Sequence, residues 1–597
     1  MKKLNRLANA TQIDNSVNLG LLLDFGVAFP EERPLTPEEY LRGGSRSIIL
    51  NVAAFFLGFK SYNSKLNDNR EFLGAIFGAE NNGFANEIYD KIKAIEKTGK
   101  KVSIINTFCS LKLFECFFTT EEEDETQTHA EFERNLFKAY LVLNSSFISA
   151  QKSATTSTKE MDVELKAPMM LFCSFYPISD KTNYDIGQIW VTQLVKAIYL
   201  FQYLEANPRT EVLLKSFLDY FNSPTWPVYL KRLLPLTIPA IKNDREGHTD
   251  ITVTSGDNFE DDCAFIEKLI VHDNDELEEN DFLTIRAKPL YKIEEGVYRI
   301  IFNLFVVEKI FKGLYFLLRD VNDRLPKGQK IPGWKGIYCY EFSEQTLLYR
   351  IMDVIYPDKC IRFSGKELAD KRIDGAPDYY VRKGSNIMVF ESKDFLIRAD
   401  LKVSFDYTIY DEEFAKTLYY EELPNGKEKA GAVMQLINSI RRLLRNEFLP
   451  DTEYYFKDVF IYPILITHDH QYDVPGLSSL INYWFQQELE VLKAEGFFIH
   501  QIKPLAVVNI DSLIYNSVGL TENTPLHEVL NAYFNSSKLR AGVKFRTVEE
   551  AREFRMSSFN PFSLFIDKYF KKQGIIKVPP ILDLVGSALF KEEVEKS

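Results

Sequence analysis

Two carboxylates and a lysine within the stretch PDYYVRKGSNIMVFESK, from Pro377 to Lys393, have the types and spacing to do chemistry. Runs rich in Tyr, Val, Ile, Met and Phe flank the pair Gly384-Ser385. That pair suits a two-residue hairpin turn, and Gly at its first central position favours type II′. Counting outward pairs Lys383 with Asn386, Arg382 with Ile387 and, four pairs further on, Asp378 with Glu391. Residues opposed in this way have Cβ atoms about 4.5–5.5 Å apart on one face. Lys393 shares that face because side chains alternate along a strand. Two opposed carboxylates in an apolar sheet repel each other, so one must hold a proton unless a cation lies between them. A hard divalent ion meets that need. Mg²⁺ takes one or two carboxylates and completes its shell with water and substrate oxygens, and Mn²⁺ shares its preference for oxygen. Such an ion acidifies a bound water, while a neighbouring ammonium steadies charge on a phosphate.

Other polar clusters carry less. THDHQYD brings His468, Asp469, His470 and Asp473 to a strand end and invites a zinc or acid–base reading. Without a Cys or Glu-x-x-His partner it reads more simply as a polar loop edge. His272, Asp273 and Asp275 lack the Gly and terminal Glu of a calcium-binding loop and read as an acidic loop. Asp374, in RIDGAPD, is a second acidic candidate, placed in a loop before Gly375. Gln435, Asn438 and Arg442 share one helix face at i, i+3 and i+7, and Arg441 and Arg445 add charge for phosphates or for solvent. FSGKEL at Phe363 lacks the upstream Gly of a phosphate-cradling loop, and no nucleophile elbow, dinucleotide fingerprint or His-Glu-x-x-His occurs.

The elements that must position the hairpin alternate along the second half of the chain. The pattern gives a helix SEQTLLYRIMDVI, strands CIRFSG, PDYYV and NIMVFESKDFLI, a helix KAGAVMQLINSIRRLL, a strand VFIYPILIT, a long helix from Leu477 and a strand IKPLAVVNI. Short, nearly all-apolar strands among helices mark an α/β domain with a sheet covered on both faces. Before it, apolar residues recur at three-to-four spacing as in helices. The Pro-, Gly- and Lys-rich NDRLPKGQKIPGWKG reads as a boundary. The expected organisation is a mainly helical regulatory or recognition region over residues 1–325, an α/β core with a mixed sheet flanked by helices over 337–515, and a small helical region over 516–597.

Pro377-Asp378 followed by Glu391-Ser392-Lys393 on adjacent strands, with helices before and after, resembles the PD-(D/E)xK nuclease superfamily of restriction-endonuclease-like folds. The resemblance covers roughly residues 337–513. It implies metal ligation by Asp378, Glu391 and the Ser392 carbonyl, and assistance to the attacking water by Lys393. It also implies a further ligand at Glu344, which lies on the helix stripe of Leu347, Leu348 and Ile351, and a catalytic Gln at Gln435. Ser439 stands where related exonuclease-like members carry a Tyr, and a charged insertion from Asp394 to Lys429 precedes the Gln435 helix. Large chains of this kind resemble bacterial defence nucleases, which implies a metal-dependent phosphodiesterase acting on nucleic acid, DNA ahead of RNA, with a protein partner or a second copy as further partner. The alternative is a non-catalytic nucleic-acid-binding or scaffold protein that keeps the fold.

Composition sets the bounds. Over 597 residues, 45% are hydrophobic, which supplies large cores and argues against disorder. A net charge of −13 opposes a surface that binds nucleic acid everywhere and leaves room for a local groove. Six scattered cysteines form no framework and suit a reducing cytoplasm. The apolar stretch near Tyr298 is interrupted by charge, so no membrane span is expected.

Overall fold

The computed structural model describes residues 21–594 apart from 59–67, 122–123, 183, 243–246, 278–280, 358–359, 374, 424–427, 456, 539–557 and 576–580. Asp374 therefore lies outside the described residues. The chain forms two compact units. The first comprises residues 1–153, 185–190 and 218–314 and is mainly helical. It carries a three-stranded antiparallel sheet in which Val297–Ile300 runs between Asp250–Thr252 and Leu290–Glu294. The acidic loop at His272 is an ion-paired turn here: Asp273 meets Arg46 at 2.7 Å and Asp275 meets Lys288 at 2.8 Å.

The second unit comprises residues 154–184, 191–217 and 315–597. It takes in two stretches that a linear reading assigns to the N-terminal region. In chain order its principal elements are α1 (Val163–Phe175), a π-helix (Tyr338–Leu348), α2 (Tyr349–Ile355), β1 (Ile361–Ser364), β2 (Tyr379–Lys383), β3 (Asn386–Lys393), α3 (Tyr407–Leu418), α4 (Ala432–Leu444), β4 (Phe460–Thr467), α5 (Leu477–Ala494) and β5 (Ala506–Asn509). The five strands form one mixed sheet in the order β5-β4-β3-β2-β1. The β1-β2-β3 portion is antiparallel, and β3, β4 and β5 run parallel. Parallel neighbours need a crossover, supplied by α4 between β3 and β4 and by α5 between β4 and β5.

Sequence dictates this layering. β3 and β4 present apolar residues to both sides, and from Ile387 to Phe390 and Ile461 to Ile466 they are almost wholly buried. Val433, Leu436, Ile437 and Ile440 of α4 and Leu480, Ile481, Trp484 and Phe485 of α5 join Ile387, Val389 and Leu465 in one buried cluster. Leu165, Met169, Phe172, Cys173 and Tyr176, on and just after α1, belong to the same cluster. Gly476, at φ 92°, makes that approach feasible, because an added Cβ would collide with the Pro168 carbonyl.

Two expected elements differ in detail. The helix around Glu344 is a π-helix up to Leu348 and α-helical only from Tyr349, so Tyr349 N–H reaches back five residues to the Glu344 carbonyl. The third strand stops at Lys393 rather than running on to Ile397, because its partner β4 ends opposite, at Thr467. The insertion after it folds as a short helix, α3 and a two-stranded ribbon of Tyr420–Glu422 with Glu428–Ala430.

Candidate functional site

The hairpin has the two-residue turn its sequence predicts. β2 pairs with β3 from Lys383 opposite Asn386 to Tyr379 opposite Phe390. Gly384 takes φ 61° and Ser385 has no positive φ, as type II′ requires. Asp378 lies one residue before β2, just beyond the last pair of the ladder, Tyr379 with Phe390, and its charge acts on Glu391. Its carbonyl accepts a 2.8 Å hydrogen bond from Gly365 N–H, and its Oδ2 accepts from Ser392 N–H at 2.7 Å. Gly365 has a steric role: an added Cβ would stand 3.1 Å from the Asp378 carbonyl oxygen and 3.2 Å from the Tyr349 hydroxyl.

Glu391 is 1% exposed, and Lys393 Nζ donates to its Oε2 at 3.3 Å. The Lys393 side chain keeps 23% of its exposure, so it is less deeply buried than Glu391. Glu344 comes from the π-helix, and its Oε1 accepts from Tyr349 OH at 3.2 Å. Burial and the Asp378 charge push the Glu344 carboxyl up to about 8, against the pull of Tyr349 and Lys393. Burial and the same Asp378 charge push Glu391 well above the usual carboxylate range, with Lys393 opposing them. Burial works to lower the Lys393 ammonium, and Glu391, Asp378 and Glu344 outweigh it and raise it.

Asp378, Glu391, Lys393 and Glu344 thus act on one another electrostatically. Fully ionised, three carboxylates against one ammonium would carry two negative charges, the charge one divalent ion balances; without a cation the raised Glu344 and Glu391 favour holding protons instead. The donors are hard oxygens, which suit Mg²⁺ or Mn²⁺ and not a soft metal. As the side chains stand, no three His, Cys, Asp or Glu groups among the described residues are gathered to hold an ion. Asp378, Glu391 and the Ser392 carbonyl, with water, make up a donor set of the kind Mg²⁺ uses.

Gln435 sits partly buried on α4 with its Oε1 buried and lacking a hydrogen-bond partner. On the same helix Arg441 is engaged by Glu495 at 3.0 Å and by Asn438 at 2.9 Å, and Arg445 lies over the Phe497 ring. In THDHQYD, His470 Nδ1 lies 3.8 Å from Asp469 Oδ1, and the groups take further partners of their own. His470 Nε2 meets the Asp180 carbonyl at 3.1 Å, and Asp469 caps a short 3₁₀ turn through Gln471 N–H. Asp473 accepts from Asn509 at 2.9 Å, with burial pushing its carboxyl up to about 8.

His468 reaches the hairpin through its side chain. Its Nε2 lies 2.7 Å from Ser392 Oγ, and burial lowers its ring from the usual imidazole range, so it is neutral near pH 7. Sequence reasoning gives no such contact. The signal is the parallel register of β4 on β3, which sets Thr467 beside Lys393 and the next residue beside the strand's exit. Ser343 Oγ also donates to Asp394 Oδ2 at 2.6 Å, fixing the residue after Lys393 to the π-helix. Compared with protein-family models, curated proteins and solved structures, the chain matches none.

Proposed function

We propose that this protein is a metal-dependent nuclease that hydrolyses phosphodiester bonds, in DNA ahead of RNA. The observation that carries the reading is the group of Glu344, Asp378 and Glu391 around Lys393, with Lys393 donating to Glu391 and Ser392 N–H to Asp378, whose charge on full ionisation one divalent cation would balance. Asp378, Glu391 and the Ser392 carbonyl would hold Mg²⁺ or Mn²⁺, with Glu344 as a further carboxylate beside Asp378. When bound, the ion supplies Lewis acidity to water and to a phosphate oxygen. Ser392 N–H holds Asp378 in place for that role. The Lys393 ammonium, tethered by Glu391 on a partly exposed side chain, would meet a phosphate oxygen and steady the charge that grows on it. Gln435 remains a candidate for contact with substrate on this reading.

Among the described residues no helix is long and apolar enough to cross a membrane. The proposed setting is the cytoplasm, in defence against foreign DNA, with the largely helical first unit serving recognition, regulation or assembly with a protein partner or a second copy. The test is a panel of plasmid, linear duplex and single-stranded DNA and RNA, each with Mg²⁺ and with Mn²⁺. Cleavage is expected to stop with chelator and to fall about a hundred- to a thousandfold in Glu391→Gln and Lys393→Ala, the scale of losing transition-state charge stabilisation. Cleavage that persists in both folded variants sinks the reading. Tight binding of nucleic acid with no cleavage favours the non-catalytic alternative.

A further inference from the structure

Ser392 is the penultimate residue of β3, paired with Ile466 of β4 on one side but beyond the last pair with β2 on the other, Tyr379 with Phe390. Ser392 has two duties in the site. Its N–H clamps Asp378 Oδ2 at 2.7 Å, and its carbonyl belongs to the candidate donor set. Strand alternation turns its side chain to the face opposite Glu391 and Lys393. On that far face the Ser392 hydroxyl meets His468 Nε2 at 2.7 Å.

His468 is itself fixed. It follows β4 directly, where Ile466 pairs with Ser392 and Thr467 with Lys393, and it is only 7% exposed. Its tautomer follows from its partners. Nδ1 is buried without a hydrogen-bond partner, and a buried N–H left unpaired is rarer and costlier than an unpaired acceptor. The proton therefore belongs on Nε2, which donates to Ser392 Oγ. A buried ring with one donor committed to a serine at a strand end is a brace, and it does not touch the face where reacting atoms would lie.

We propose that His468 is a positioning residue for the carboxylate pair: it holds Ser392 from the far face of the sheet, so that Ser392 N–H fixes Asp378 in the orientation that takes a divalent cation. The role rests on the metal-dependent reading above and goes beyond it, because it concerns a residue outside the motif and an effect on cation affinity. Removing a partner that orients a metal ligand typically weakens metal affinity about 10–100-fold.

The experiment measures Mn²⁺ affinity of the intact chain by titration calorimetry and by the electron paramagnetic resonance signal of free Mn²⁺, with thermal unfolding in parallel. The parent chain is expected to bind Mn²⁺ and to lose it in Asp378→Asn. His468→Ala should weaken Mn²⁺ binding roughly tenfold or more. Ser392→Ala removes the same hydrogen bond without opening a cavity and should match it. The double variant should be no weaker than either single one, since both delete one interaction. His468→Gln, whose amide donates at similar reach, should restore most of the affinity. If the parent chain binds no Mn²⁺, the metal centre and this role fall together. If the parent binds Mn²⁺ and His468→Ala and Ser392→Ala bind it equally well, only the role of His468 falls. It also falls if His468→Gln is as weak as His468→Ala while Ser392→Ala is unaffected, because ring volume rather than the hydrogen bond would then be what matters.

Discussion

A buried carboxylate without a full complement of cations lets protons do the balancing, and this fixes how the site responds to pH. Glu344 rises from an ordinary 4.5 to about 8 through burial and the Asp378 charge, and Glu391 is displaced in the same direction. Between about 4.5 and about 8 the folded protein keeps a proton on Glu344 that the unfolded chain has released. More protons bound in the folded state means that stability falls as pH rises through that window and levels off above it. The metal-free protein should therefore show a melting temperature that drops from about pH 5 to about pH 8 more steeply than that of Glu344→Gln, the difference isolating this group from the many other carboxylates. Added Mg²⁺ or Mn²⁺ should raise the melting temperature more at the upper end of the window, where the carboxylates are ready to ionise. Scanning calorimetry over the pH series decides it. Parallel slopes for the parent and Glu344→Gln would show that Glu344 does not carry this charge stress.

Among the elements, two glycines serve different ends and separate stability from site geometry. Gly384 takes φ 61° at an open turn where an added Cβ meets nothing, so Gly384→Ala should cost about 1 kcal/mol of stability through backbone strain alone and leave cation affinity unchanged. Gly365 has an ordinary φ but abuts Asp378 and the Tyr349 hydroxyl, so Gly365→Ala should displace Asp378 and weaken Mn²⁺ binding more than its effect on denaturant midpoint suggests. The two variants, compared by urea unfolding and Mn²⁺ titration, should exchange rank between the measurements. The same contrast explains what was legible in the residues. The turn fixes a local register, and local register follows from counting, so the pairing of β2 with β3 from Lys383 with Asn386 to Tyr379 with Phe390 could be read directly. Helices at α4 and α5 declare themselves by apolar periodicity. The brace from His468 could not be read, because it depends on β4 lying parallel to β3 across the long excursion after Asp394, and no spacing in the chain encodes that neighbour. Nor could the π-helical turn at Glu344, whose backbone hydrogen bonds reach one residue further than the α pattern assumes.

For the molecule as a whole, the second unit does not begin where the Pro- and Gly-rich segment near Lys327 marks a boundary in the chain. Residues 154–184 and 191–217 belong to it. α1 supplies more than proximity: Phe172 meets the rings of Tyr410 and Phe414 on α3, and Tyr176 stacks on Tyr472 beyond β4. Leu165, Met169, Phe172, Cys173 and Tyr176 are all buried in the cluster that covers β2 and β3. Removing them strips one wall from the core, and deleting a single buried Phe already costs about 3–5 kcal/mol. That is a large share of the roughly 5–15 kcal/mol that holds a domain together. A fragment of residues 326–597, which contains every residue of the candidate site, should therefore lack a cooperative thermal transition and bind a hydrophobic dye. Phe172→Ala in the intact chain should keep the fold while lowering hydrogen-exchange protection across β2 and β3. A fragment of residues 326–597 that melts cooperatively would show that the sheet builds its core without α1, and the site could then be studied apart from the N-terminal half.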